Sequence, residues 1–305
     1  MPPRAAATRP VGTVTRGTTN PNRLRRMDRW IAATHGAELR RAADPVAVDL
    51  GYGAAPWTAV ELLHRLRTVA PHARVVGVEI DPARVAAAQP YAREGLDFRH
   101  GGFEVPVAGP PLLIRAANVL RQYDEAEVAA VWQRLCARLA PASAPSPSAS
   151  PSPRAGSASG PSVPSGPSGP SGPSVPSGHS RGGLLVEGTC DEIGRRHVWV
   201  ALGPEGPRTV TFATRLGSLE RPSDLAERLP KALIHRNVPG EPVHAFLRDF
   251  DRAWAAAAPY ASYGARQRWM RAVRDLTADW PVSDGPVRWR QGEVTVRWEA
   301  LAPRA

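Results

Sequence analysis

The sequence predicts an α/β fold with a doubly wound, mostly parallel sheet. An N-terminal helix precedes it, and a helical plus hairpin elaboration follows. Three observations predict this. Residues 46–50 and 75–79 are short apolar runs with an acid at or near the end, as buried parallel strands read. Each is followed by a helical pattern; in the first, Leu62, Leu63 and Leu66 fall on one side. Between the first run and its helix lies Gly51-Tyr52-Gly53, a turn that lets backbone approach a ligand at the carboxyl edge of a sheet.

Taken in order, residues 1–21 lack periodicity and read as a flexible basic arm. Asn22 is placed to cap a helix whose Leu24, Met27, Trp30, Ile31 and Thr34 share a side. Residues 22–140 then hold that helix and the first half of the sheet domain. Strand one is 46–50, helix one about 56–69, and strand two 75–79. Pro82 opens the next helix, where its missing N–H costs little. Strand three and its exit fall in 96–103, and strand four with its tip in 111–118. Asp124 and Glu125 suit the N-terminus of a helix carrying Val128, Trp132, Leu135 and Leu139.

Residues 141–181 are dominated by Pro, Ser and Gly, which bury no apolar surface and predict a disordered insertion. It falls between a helix and strand five, away from the ligand edge, and should be dispensable. Residues 182–213 resume the sheet with strand five at 183–191 and a strand–turn–strand over 197–213. Residues 214–305 form the elaboration: helices near 222–230, 243–258 and 265–276, then a hairpin pairing 287–290 with 294–298 around Gln291-Gly292-Glu293.

A glycine turn beside an acid on the next strand tip is suited to a ribose, since a carboxylate accepts strongly from both hydroxyls. A dinucleotide or S-adenosylmethionine satisfies that geometry. Val48-Asp49-Leu50-Gly51-Tyr52-Gly53 followed by Val76-Gly77-Val78-Glu79-Ile80-Asp81 resembles the first two motifs of the class I S-adenosylmethionine-dependent methyltransferases. The resemblance covers about residues 45–140 and 182–203. It implies a cofactor site of Asp49, Gly51, Tyr52, Gly53, Glu79, Ile80, Gly102, Phe103 and Asn118, with Glu79 on the ribose. It also implies substrate-facing residues in the strand-four loop, here Asn118, Arg121 and Tyr123, and a pre-domain helix whose Arg23, Arg25 or Arg26 reaches cofactor or substrate. The chain departs from the family pattern at Ala54-Ala55-Pro56, where a third glycine is usual, and at Gly102, where an acid often holds the adenine amino group. Proline donates no N–H, so Pro56 disfavours a pyrophosphate more than a sulfonium.

The formal charge of +11 invites a nucleic-acid reading, but its distribution weakens it. Residues 1–29 carry seven arginines against Asp28, whereas 30–140 balance at twelve basic and twelve acidic. Residues 182–305 carry eighteen basic and fifteen acidic. Cys136 and Cys190 have no metal or disulfide spacing, and no metal cluster, serine elbow or catalytic-cysteine motif occurs. The start lacks a signal-peptide core and no stretch is long enough to span a membrane, so a cytoplasmic location is expected. Methyl transfer from a sulfonium requires alignment more than catalytic groups. The sequence therefore reads as a methyltransferase acting on a small molecule. The alternatives are an RNA or other nucleic-acid methyltransferase, whose Asp/Asn-Pro-Pro-Tyr motif is absent after strand four, a nicotinamide-dependent oxidoreductase, and a non-catalytic scaffold. Glu187 and Asp191 are candidate bases or acids that order Arg195 and Arg196, and His235 is the histidine most suited to a site. The aromatic–arginine alternation of 287–298 suits either base stacking or a half-buried strand.

Overall fold

Eight strands form one sheet: β1 Val46–Leu50, β2 Arg74–Glu79, β3 Leu96–His100, β4 Leu113–Ala117, β5 Leu184–Cys190, β6 Arg196–Gly203, β7 Gly206–Thr214 and β8 Glu293–Arg297. The computed structural model describes residues 10–14, 19–142 and 182–304. The strand order is β3-β2-β1-β4-β5-β6-β7-β8. The first five are mutually parallel and the last three antiparallel. The order reverses between β1 and β4, which is where the tips of a doubly wound sheet part to admit a ligand.

The helices are α1 Arg25–Arg41, α2 Trp57–Arg67, α3 Pro82–Ala88, α4 Glu125–Cys136, α5 Lys231–Ile234, α6 Pro242–Ala256, α7 Ala265–Leu276 and α8 Pro286–Trp289. On one face, Met27, Trp30 and Ile31 of α1 join Leu62 and Leu66 of α2 against Ala47, Val186 and Trp199. On the other, Trp132, Phe246, Phe250 and Trp269 of α4, α6 and α7 cover Ile114, Val200 and Phe212. Burial of both faces explains the continuous apolar runs of the parallel strands.

Several expectations are corrected. The C-terminal hairpin does not form. Pro286 starts a helical turn, closed by Arg290 N donating to Pro286 O at 3.0 Å, and Trp289 turns inward to donate from Nε1 to Asp284. The second half becomes β8 because β7 offers it an edge, with Val294 and Val296 buried beside Val210 and Phe212. The aromatic–arginine ladder is thereby divided between two elements. Asn22 does not cap α1; it sits at φ 62°, and its backbone N–H donates to Glu61 Oε1 at 2.7 Å. The strands expected over 183–191 and 197–203 do form, and β5 and β6 pair directly as an antiparallel hairpin.

The N-terminal arm is placed where it is described. Residues 10–14 lie across the sheet edge and residues 19–21 lead into α1 by hydrogen bonds from Thr19 and Asn20. Most of the predicted insertion, 143–181, lies outside the described residues. Its two ends meet: Gly183 N donates to Ala140 O at 2.7 Å, beside the start of β4 and β5 and at the edge opposite the strand tips.

Candidate functional site

The tips of β1 and β2 are tied to each other. Gly51 and Gly53 take φ of 67° and 83°, which glycine adopts without a Cβ penalty. Gly51 N donates to Val78 O at 2.7 Å. Gly53 N donates to Glu79 Oε2 at 2.9 Å, while Ile80 N and Asp81 N donate to Oε1 at 3.0 and 3.3 Å. Glu79 is 1 % exposed, with Arg84 Nη1 at 3.8 Å. One carboxylate thus spans the two tips. Tyr52 is buried edge-on to Phe98 and its hydroxyl reaches Arg84 O, so it supports the turn from below. A Cβ on Gly53 would stand 2.6 Å from Thr19 Oγ1, whose hydroxyl donates to Tyr52 O.

Asp49 is turned away from this opening. Its oxygens receive Thr58 Oγ1 at 2.7 Å, Arg115 Nε at 3.1 Å and Arg115 Nη2 at 2.8 Å. Arg115 also donates to Thr58 O at 2.8 Å and pairs with Asp28 of α1. All three charged groups are buried. Burial alone would pull Arg115 down, but Asp28 and Asp49 hold it above the ordinary arginine value. Burial pushes Asp28 up to about 6 against the opposing pull of Arg115. This network pins β1, β4, α1 and α2 beneath the turn. Both oxygens of Asp49, expected to serve a cofactor, are engaged beneath the turn instead.

The opening between the tips is covered by residues 11–13. Phe103 N donates to Val11 O at 2.8 Å, and Val11 N donates to Glu104 Oε2 at 2.9 Å. Glu104 Oε1 receives Gly102 N at 2.7 Å. Thr13 N donates to the Tyr123 hydroxyl at 2.6 Å, and Gln122 Nε2 reaches Thr13 Oγ1 at 2.9 Å. A cavity of about 20 Å³ remains, lined by Gly12, Gly51, Glu79, Ile80, Phe103 and Tyr123 among others. Gly102 is glycine because a Cβ would overlap the Val11 carbonyl. Phe103 is buried against Tyr123, their centroids 5.3 Å apart.

The tip of β4 is strained. Asn118 takes φ 60°, a conformation uncommon outside glycine and concentrated at functional sites. Its Oδ1 accepts from Cys190 N at 2.9 Å, its Nδ2 donates to Cys190 Sγ at 3.2 Å, and its own N–H donates to Gly188 O at 2.7 Å. Asn118 therefore locks the β4 and β5 tips together. Cys190 is buried, which pushes its thiol up against the pull of Arg23. Arg121 is exposed and donates to Glu227 O at 3.3 Å. Partial desolvation of its guanidinium, then the nearby Arg228, lowers it. Tyr123 is buried and its hydroxyl is engaged by Thr13, so it anchors residues 11–13.

Glu187 lies inside the core, its carboxylate without a hydrogen bond of ordinary geometry, and burial pushes it up to about 8. Asp191 receives the backbone N–H groups of Ile193, Arg195 and Arg196 and orders that loop. Arg23 donates to Asp191 O at 3.0 Å, whereas Arg25 and Arg26 line a different cleft. His235 is exposed at the end of α5. Among the described residues no cluster of metal-ligating side chains occurs and no helix is long and apolar enough to cross a membrane.

The structure thus brings together Gly51, Gly53, Glu79, Ile80, Phe103 and Tyr123, with Asn118 at the neighbouring tip. Sequence reasoning missed Val11–Thr13, Glu104, and the Asp28–Arg115 pair. An arginine inside the apolar Leu113-Ile114-Arg115-Ala116 run and an aspartate on the apolar side of α1 were the available signs of the last.

No family model matches the chain, and no curated protein sequence matches it. Solved structures similar to it include human N-acetylserotonin methyltransferase in complex with SAM, 22% identical, with 36% of this chain and 32% of that chain covered and a TM-score of 0.25. A chain of the complex between the Haloferax volcanii Trm112 methyltransferase activator and the putative methyltransferase is 20% identical, covers 37% and 50%, and has a TM-score of 0.25. The sugar N-methyltransferase KedS8 from a Streptoalloteichus species is 14% identical, covers 66% and 74%, and has a TM-score of 0.27. The chain spans about a third and a half, respectively, of the first two.

Proposed function

We propose that the chain is an S-adenosylmethionine-dependent methyltransferase acting on a small, negatively charged molecule. The observation that carries this reading is the shared carboxylate of Glu79, which joins two glycine-turned strand tips at the switch point of the sheet. The residues present suit a nucleoside once residues 11–13, which leave about 20 Å³ between the tips, move aside. Glu79 is a charged acceptor at the β2 tip, Ile80 and Phe103 are apolar flanks, and Gly51 brings backbone to the cavity wall. Glu79 Oε2, which accepts a single backbone N–H, would hold a ribose hydroxyl, and the Gly51–Gly53 backbone would lie along the methionine part.

The cofactor, when bound, supplies an activated methyl group, so the protein's task is alignment and exclusion of water. Asn118 fixes the β4 tip against β5 and sets the wall beside which an acceptor would rest. Residues 11–13 cover the opening and have to move aside for a cofactor to enter. Arg121, with Arg228 and Arg23 near it, makes that wall positive and favours an anionic acceptor. Dependence on a protein base is confined to acceptors that arrive protonated.

The test has two arms. S-adenosylmethionine and NAD are titrated in competition, and S-adenosylmethionine should displace NAD. Methyl-labelled S-adenosylmethionine is then incubated with the protein and a cell extract separated into metabolites and RNA. Label in anionic metabolites supports the proposal. Label in RNA overturns the small-molecule assignment, and preference for NAD overturns the transferase assignment.

A further inference from the structure

On the α1 face of the sheet, at the same edge as the strand tips, lies a second cleft of about 830 Å³. Eight arginines line it, delivered by α1, α2, the end of β7, the start of α7, and α8 with the residues just after it. The single acid among its lining residues is Glu293, already paired with Arg288. Arg26 donates to Gln291 O at 3.0 Å. Arg25, Arg29, Arg65, Arg215, Arg266 and Arg290 form no ion pair or side-chain hydrogen bond among the described residues. Arg65 Nε is buried without a partner there, which costs free energy unless a ligand supplies an acceptor. Burial lowers Arg26, opposed by Glu293 and reinforced by Arg29, Arg215 and Arg25, so the guanidinium groups repel one another across the space.

We infer that this cleft is a binding site for a small, multiply phosphorylated ligand. Guanidinium groups converging from several elements match phosphoryl oxygens, which accept bidentate pairs and neutralise several charges at once. The volume lies within the range of small-molecule sites, roughly 300–1,000 Å³. No aromatic side chain lines the cleft, so it lacks the stacking surfaces that single-stranded nucleic acid uses. Asn22 and Gly194 line it, and a Cβ on Gly194 would overlap the Arg23 carbonyl, so the cleft shares a wall with the loop that Asn118 and Arg23 brace. The site is separate from the Glu79 opening, and its occupancy does not depend on the methyl-transfer reading.

The experiment is calorimetric titration of the full chain at low salt with inorganic tripolyphosphate, adenosine triphosphate and a short unstructured RNA. The expected result is saturable, salt-sensitive binding of the first two. Arg29→Glu with Arg215→Glu should weaken it at least tenfold with the melting temperature retained. Arg134→Glu with Arg274→Glu, exposed charges elsewhere, should leave it within about twofold. The inference is overturned if tripolyphosphate does not bind, if both double variants weaken it equally, or if the RNA alone binds.

Discussion

Glu187 is the residue whose ionisation the fold opposes most plainly. Its pKa is raised to about 8 in the folded chain, chiefly by burial, from an ordinary value near 4.5. The folded state therefore holds a proton that the unfolded state releases. The stability this gives is fully present below the unfolded value, and it declines as pH rises until the folded value is passed. Glu187→Gln should flatten that decline and be more stable than the parent at pH 8, by on the order of 3 kcal/mol, in chemical denaturation at pH 5 and pH 8. Equal slopes in the two proteins would show that the carboxyl is solvated. Arg115 makes the converse case: Arg115→Met should cost about 3–5 kcal/mol, because Asp28 and Asp49 stay buried without their partner. Glu79 was legible as an acid at a strand tip beside a glycine turn. The engagement of Asp49 was not, because the pairing of Asp28, Asp49 and Arg115 joins three elements far apart in sequence.

Among elements, the parallel strands and their helices were legible because burial on both faces leaves unbroken apolar runs followed by a helical period. The C-terminal hairpin misled because alternation within 287–290 resembles a strand, while Pro286 and the free edge of β7 decide the outcome. Residues 11–13 gave no periodic sign, since their place is fixed by backbone hydrogen bonds to Phe103, Glu104 and Tyr123. Gly102→Val should displace them by collision with the Val11 carbonyl, and the Phe103 amide should then exchange with solvent at least tenfold faster. Unchanged exchange would mean that these residues do not rest on Gly102. The described flanks of residues 143–181 meet at one point, so replacing that segment with a short Gly-Ser link should shift the melting temperature by less than ~3 °C and leave S-adenosylmethionine affinity unchanged. Lost affinity would place that segment at the site.

At the scale of the whole molecule, the candidate sites gather on one edge of the sheet. The Glu79 opening, the β4–β5 tips and the arginine cleft all lie there, while the insertion ends lie at the other. The charge balance counted along the sequence hid this, because the arginines of α1, α2, β7 and α8 meet only after folding. Glycine turn and acid were readable as neighbours because adjacent parallel strands bring their tips together by topology. The most direct measurement is calorimetric titration of S-adenosylmethionine into the parent chain, Glu79→Ala and Glu79→Gln. The account predicts binding by the parent, at least tenfold loss in Glu79→Ala, and an intermediate affinity in Glu79→Gln, which keeps one acceptor but not the charge. Binding by Glu79→Ala as tight as by the parent would contradict it.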